Sequence, residues 1–77
     1  MTERAAAARG ILAVPLFGEL MDELERDAVN AAVNANYEDH EARQAYLAEV
    51  RAIRNLRSKL AVFSQEDQAK GRKQAPA

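Results

Sequence analysis

One stretch gathers donor side chains densely: Tyr37-Glu38-Asp39-His40-Glu41, around the only histidine of the chain. Metal ligation or acid–base chemistry would need them on one face, and the spacing argues against that. Glu38 and His40 are two residues apart and do not share a helix face. The Glu-x-x-His pair of di-iron helical bundles meets Tyr37 where its glutamate belongs. The His-Glu-x-x-His pattern of zinc proteases meets Gln44 where its second histidine belongs. A surface histidine at a helix start is the better reading. Glu19 and Glu23 stand at i, i+4, yet they lie among five acids on one helix and read as a solvated acidic face. Thr2, Ser58 and Ser64 are candidate nucleophiles, but none has a histidine at fixed spacing. There is no Gly-x-Gly-x-x-Gly loop, and the absence of cysteine removes disulfides and thiolate metal sites. The expectation is no catalytic residue, no metal and no cofactor: not an enzyme.

Charge is the next candidate for function. The chain carries 11 basic and 12 acidic residues, net −1, so no global field draws it to nucleic acid or an anionic membrane. The distribution says more than the sum. Residues 15–36 hold Glu19, Asp22, Glu23, Glu25 and Asp27 against Arg26, net −4. Residues 50–63 hold Arg51, Arg54, Arg57 and Lys59 without an acid, net +4. In an antiparallel hairpin turning near 35–38, position 20 falls beside position 53, and the acidic helix runs beside the basic segment. The first reading is charge pairing within the hairpin, with Glu19, Asp22, Glu23 and Asp27 neutralising the bases. The second is an outward Arg51, Arg54, Arg57 and Lys59 edge for nucleic acid or a protein partner. Four bases without an aromatic stacking platform make a weak nucleic-acid signal.

The elements that must position these residues are helices. Residues 2–9 are strong helix formers behind a Thr2 N-cap and predict one or two turns, weakened at Gly10. Pro15 stops a helix near Val14 and suits the first position of the next. Over 15–35 the apolar residues Phe17, Leu20, Met21, Leu24, Ala28, Ala31, Ala32 and Ala35 follow helical spacing. A connection is expected within 34–39, with Asn36 or Asp39 capping the next helix. That helix is predicted over about 39–64, with the stripe Tyr46, Val50, Ile53, Leu56, Leu60 and Phe63. Residues 65–77 contain no large apolar side chain and predict a disordered polar tail. The divisions are 1–14, 15–64 and 65–77.

With 77 residues there is one small domain whose core is marginal. The fold class is all-α: a helical hairpin of two long amphipathic helices with a short N-terminal helix, associating into a bundle. The longest uncharged N-terminal run, Gly10 to Gly18, is nine residues, against the roughly 20 of a spanning helix. Met-Thr-Glu-Arg opens no signal peptide. A cytoplasmic protein without membrane contact is expected.

Several features in order carry a resemblance. A short Ala/Arg helix precedes Pro15-Leu16-Phe17. An acidic amphipathic helix with Leu20, Leu24, Glu25 and Ala28 follows. Glu38-Asp39-His40-Glu41-Ala42-Arg43 then opens a helix carrying Leu-x-x-Val-Arg-x-Ile-x-x-Leu-Arg, Leu47 to Arg57. Over roughly residues 4–60 the chain resembles the short helical-hairpin proteins that tailed phages, prophages and gene transfer agents encode among their packaging and head genes. The turn here lacks the Pro-Pro often met in them, and the motifs carry no chemistry across. The resemblance implies an assembly or packaging role, with a capsid, portal or terminase component as partner and a place in the cytoplasm or a virion-like particle.

The residues assigned to a protein interface are Phe17, Met21, Leu24, Tyr46, Val50, Ile53 and Leu60, with a core role as the competing reading. A homodimer is expected, its seam holding Phe17, Leu24, Val50, Ile53 and Leu60. The function expected first is a small assembly or packaging factor acting by helix–helix docking. The alternative is a dimeric four-helix bundle that binds nucleic acid through the Arg51–Lys59 edge.

Overall fold

A computed structural model describes residues 3–66 of the chain. Three helices follow one another: α1 (Glu3–Leu12), α2 (Pro15–Asn34) and α3 (His40–Ser64). No strand occurs among the described residues. The fold is all-α: α2 and α3 form the hairpin, and α1 packs mainly on α3. The Thr2 cap, and the polar tail from residue 67 onward, lie outside the described residues.

Helix α1 is longer than its local signals predict and runs through Gly10 to Leu12. A glycine inside a helix costs about 1 kcal/mol relative to alanine. Tertiary packing offsets that cost: Ala5 and Ala8 are 0% and 2% exposed. Arg9 donates from Nη1 to the Ser64 carbonyl at 2.7 Å, which joins α1 to the last turn of α3. Arg4 stacks over the Phe63 ring, 4.1 Å from its centroid, and pairs with Glu66. Donation to the Glu66 carboxylate, opposed by desolvation and aided by its charge, raises the Arg4 guanidinium above its ordinary value.

Pro15 occupies the first turn of α2, where its missing N–H leaves nothing unsatisfied. Asp39 is the N-cap of α3, its Oδ1 accepting from the Ala42 N–H at 3.0 Å. Arg43 closes the connection. Its Nη2 donates to the carbonyls of Ala35 and Asn36 at 3.3 and 3.1 Å, which places a cation at the negative end of α2. One side chain thus fastens the end of α2 to the start of α3.

The core is built from small side chains. Ala5, Ala8, Met21, Ala28, Ala32 and Val50 are buried among the described residues, and no large side chain is fully enclosed. The alanine half of α2 allows close approach of α3 near the connection. Farther along, Met21 is buried in the seam.

Candidate docking face

The seam between α2 and α3 departs from the apolar stripes of the sequence: Leu20, Leu24 and Leu56 are exposed, and Glu25 and Arg57 are half-buried. On α3, besides Ala42, Arg43 and Phe63, the buried and half-buried positions are Tyr46, Val50, Ile53, Arg57, Leu60 and Ser64. They repeat at four and three in alternation, which keeps one face toward a neighbouring helix. Leu56, expected on this stripe, is 48% exposed. An apolar-only count steps from Ile53 to Leu56 to Leu60, whereas the alternation steps from Ile53 to Arg57 to Leu60. On α2, Phe17, Gly18, Met21, Glu25, Ala28, Ala31 and Ala32 are buried or half-buried, as is Ala35 at its C-cap, and Leu24 is exposed. In both helices a charged residue takes the seam position, and the leucine just before it turns outward.

The two displaced positions face one another. Arg57 lies 4.0 Å from Glu25 and 2.8 Å from Asp22. Arg54 pairs with Glu25 at 3.3 Å. Helical side chains lean toward their own N-terminus, so an antiparallel pair meets with the α3 residue farther from the connection than backbone register alone gives. Backbone register follows from the hollow lined by Leu24, Asp27, Ala28, Ala31, Tyr46 and Glu49.

These contacts sort the basic residues. Arg54 and Arg57 are engaged within the hairpin. Arg51 and Lys59 are exposed, with no ion pair among the described residues. The acids that engage are Asp22 and Glu25. Of the four expected to neutralise the bases, Glu19, Glu23 and Asp27 make no such pair among the described residues. Counting 100° per residue puts Glu23 and Asp27 away from the side of α2 that carries Asp22 and Glu25, whereas Glu19 lies only 60° from Asp22.

The residues assigned to an interface also divide. Met21 and Val50 are enclosed by the hairpin, so they are core and offer nothing to a partner. This corrects their reading as docking residues and removes Val50 from the expected dimer seam. Phe17, Tyr46, Ile53 and Leu60 are half-buried, and Leu24 is open. On the side of the hairpin that carries the hollow, Leu16, Leu20, Leu24 and Leu56 are 67%, 47%, 43% and 48% exposed. Leu16, Leu20 and Leu24 form an i, i+4, i+8 ridge. Leu20 and Leu24 belong to the apolar set expected for α2, and Leu16 does not.

His40 lies at the start of α3, its Nδ1 3.4 Å from Arg43 Nη1. Among the described residues, no three His, Asp or Glu side chains come together as a metal ion requires. No described helix is long and apolar enough to cross a membrane. No family model, curated protein or solved structure matches this chain.

Proposed function

We propose that this chain is a small non-enzymatic docking protein that works by helix–helix contact through the leucine side of its hairpin. The observation that carries the reading is the outward placement of Leu16, Leu20, Leu24 and Leu56 on one side of α2 and α3. Apolar surface left in water forgoes about 25 cal/mol per Å², and a grouped patch of it marks an interaction site. The resemblance to short hairpin proteins of phage-like particles supplies the setting: an assembly or packaging factor that meets a capsid, portal or terminase component. Engagement of Arg54 and Arg57 by Asp22 and Glu25 lowers the weight of the nucleic-acid alternative.

The test mixes the purified chain with the purified capsid, portal and terminase proteins encoded beside its gene. Co-elution with one of them, lost on Leu20→Glu, is the expected result. No complex with any of the three overturns the phage-particle assignment.

A further inference from the structure

The hollow between α2 and α3 is walled by Leu24, Ala28, Ala31 and Tyr46, and two acids stand among them, Asp27 and Glu49. It holds about 220 Å³, below the roughly 300–1,000 Å³ of a drug-sized ligand site and suited to a single side chain. Asp27 and Glu49 are exposed and have no ion pair among the described residues. Arg54 and Arg57 cannot serve them, because they meet Glu25 and Asp22 on the opposite side of the hairpin. Two carboxylates beside an apolar wall make a lining for a cationic side chain. Its methylene stem covers the leucine and the alanines while its charged head meets the acids. A tyrosine ring in the same wall attracts that charge further.

The surrounding surface agrees in sign. Counted at 100° per residue, Asp27 lies about 20° from Leu20 around α2, and Glu49 about 20° from Leu56 around α3. Glu23, Glu41 and Lys59 stand on the rim, each about 60° from the same leucines. Four acids against one base make the leucine side acidic. Its far end is taken by α1, which packs on α3 where Arg4 stacks over Phe63. The open part runs from Ala31 to Leu20, about 17 Å or three helical turns.

We propose that the hollow receives a lysine or arginine side chain from a basic amphipathic helix of a partner protein, whose apolar residues lie on Leu20, Leu24 and Leu56. The proposal rests on the docking reading above and names the chemistry of the partner. Charge complementarity selects this occupant from the others. A second copy would bring Asp27, Glu49 and the acidic rim against the same groups. Residues 67–77 carry Lys70, Arg72 and Lys73 but no Leu, Ile, Val, Phe or Met, so they can meet the acids and not the leucines. Phosphate, on a nucleic acid or an anionic membrane, is repelled by the same acids.

The experiment uses the full chain and two synthetic peptides of about 18 residues, above the length at which isolated helices are marginal. Both carry leucine at the same helical spacing. One has lysine and arginine at the other positions, and its counterpart has glutamate and glutamine. Titration calorimetry is expected to show the basic peptide binding at least about tenfold more tightly than the acidic one, a difference of about 1.4 kcal/mol. Asp27→Asn with Glu49→Gln should remove most of that preference. Glu19→Gln takes away an acid about 100° from Leu20 and should leave it unchanged. Equal binding of the two peptides overturns the basic partner, while the docking reading stands. Binding of neither at about 1 mM also overturns it, and the docking reading then rests on the head-protein test above. A preference that Glu19→Gln lowers as much as the double variant reflects net charge and overturns the hollow as the site. A dimer that the basic peptide splits into monomers marks a second copy as the occupant and overturns the foreign partner. Tightening by about tenfold when Lys70→Gln, Arg72→Gln and Lys73→Gln are combined marks the tail as the occupant, with the same consequence.

Discussion

The two sides of the α2–α3 hairpin are closed by different means. One carries Glu25 against Arg54 and Asp22 against Arg57, with polar groups that water also satisfies. The other carries Leu16, Leu20, Leu24 and Leu56 with about half or more of their surface in water. By helical spacing the charged side also carries exposed apolar residues, Val29 seven residues from Asp22 and Leu47 seven from Arg54. The leucine side leaves grouped apolar surface in water. Both come from one displacement: Glu25 and Arg57 take seam positions, and Leu24 and Leu56 rotate out. A partly exposed ion pair contributes little to stability. Its consequence here is to set the phase of two helices and so to decide which side is left apolar.

The largest test of this contrast lies in the seam. Met21 is the largest of the buried side chains. Met21→Ala is expected to cost about 2–5 kcal/mol, as truncation of a core methionine does. In a domain holding only about 5–15 kcal/mol, the thermal midpoint followed by circular dichroism should fall sharply. Leu56→Ala is the matched comparison. Half of its side chain already lies in water, so half of the roughly 1.5–3 kcal/mol gained on burying a leucine is forgone. A cost near 1 kcal/mol is expected in dilute protein. Equal losses for the two variants would place Leu56 in the seam after all and remove the leucine side.

The connection offers the next effect, because it holds the two helices in phase. Asp39→Ala removes the side-chain acceptor from the Ala42 N–H and is expected to cost about 1 kcal/mol, within the 0.5–2 range of lost N-caps. Urea unfolding measures it directly. A loss below experimental error would mean that Arg43, through Ala35 and Asn36, holds the start of α3 without the cap.

What the sequence made legible follows the range of each signal. Pro15 and Asp39 act on their own helix within one turn, and both stand where local rules put them. The seam is a long-range property. Glu25 and Arg57 read as outward-facing because charge is counted as polar, yet each is half-covered by the opposite helix. Arg43 was illegible for a related reason: its contact joins residues eight and seven apart through a long side chain whose direction no spacing rule fixes. Helix α1 outran Gly10 because Ala5 and Ala8 are buried against the rest of the fold, and a local propensity scale holds no information on that.

Gly18 gives a smaller effect of the opposite sign. It shares the charged side of α2 with Asp22 and Glu25 at helical spacing, and a Cβ there meets nothing within 4 Å. Its backbone is helical, without positive φ. Gly18→Ala should therefore stabilise by about 0.5–1 kcal/mol, chiefly through the lost freedom of the unfolded chain. A rise in the thermal midpoint with unchanged sedimentation would show that the charged side can be filled without touching assembly. A change in mass would show that this side also meets a partner.

The smallest effect isolates the ion pair itself. A double-mutant cycle on Glu25→Ala and Arg54→Ala should return a coupling of about 0.2–1 kcal/mol at low salt, because Arg54 is largely exposed and the contact is 3.3 Å long. Glu25 keeps a second, longer contact to Arg57 at 4.0 Å, so part of the interaction survives when Arg54 is cut. Raising ionic strength should shrink the coupling toward zero as the Debye length falls to about 3 Å at 1 M. A coupling above about 2 kcal/mol that resists salt would mean that the pair is desolvated. The side of the hairpin that carries Glu25 and Arg54 would then be covered in solution, and it, rather than the leucine side, would be the one that meets a partner.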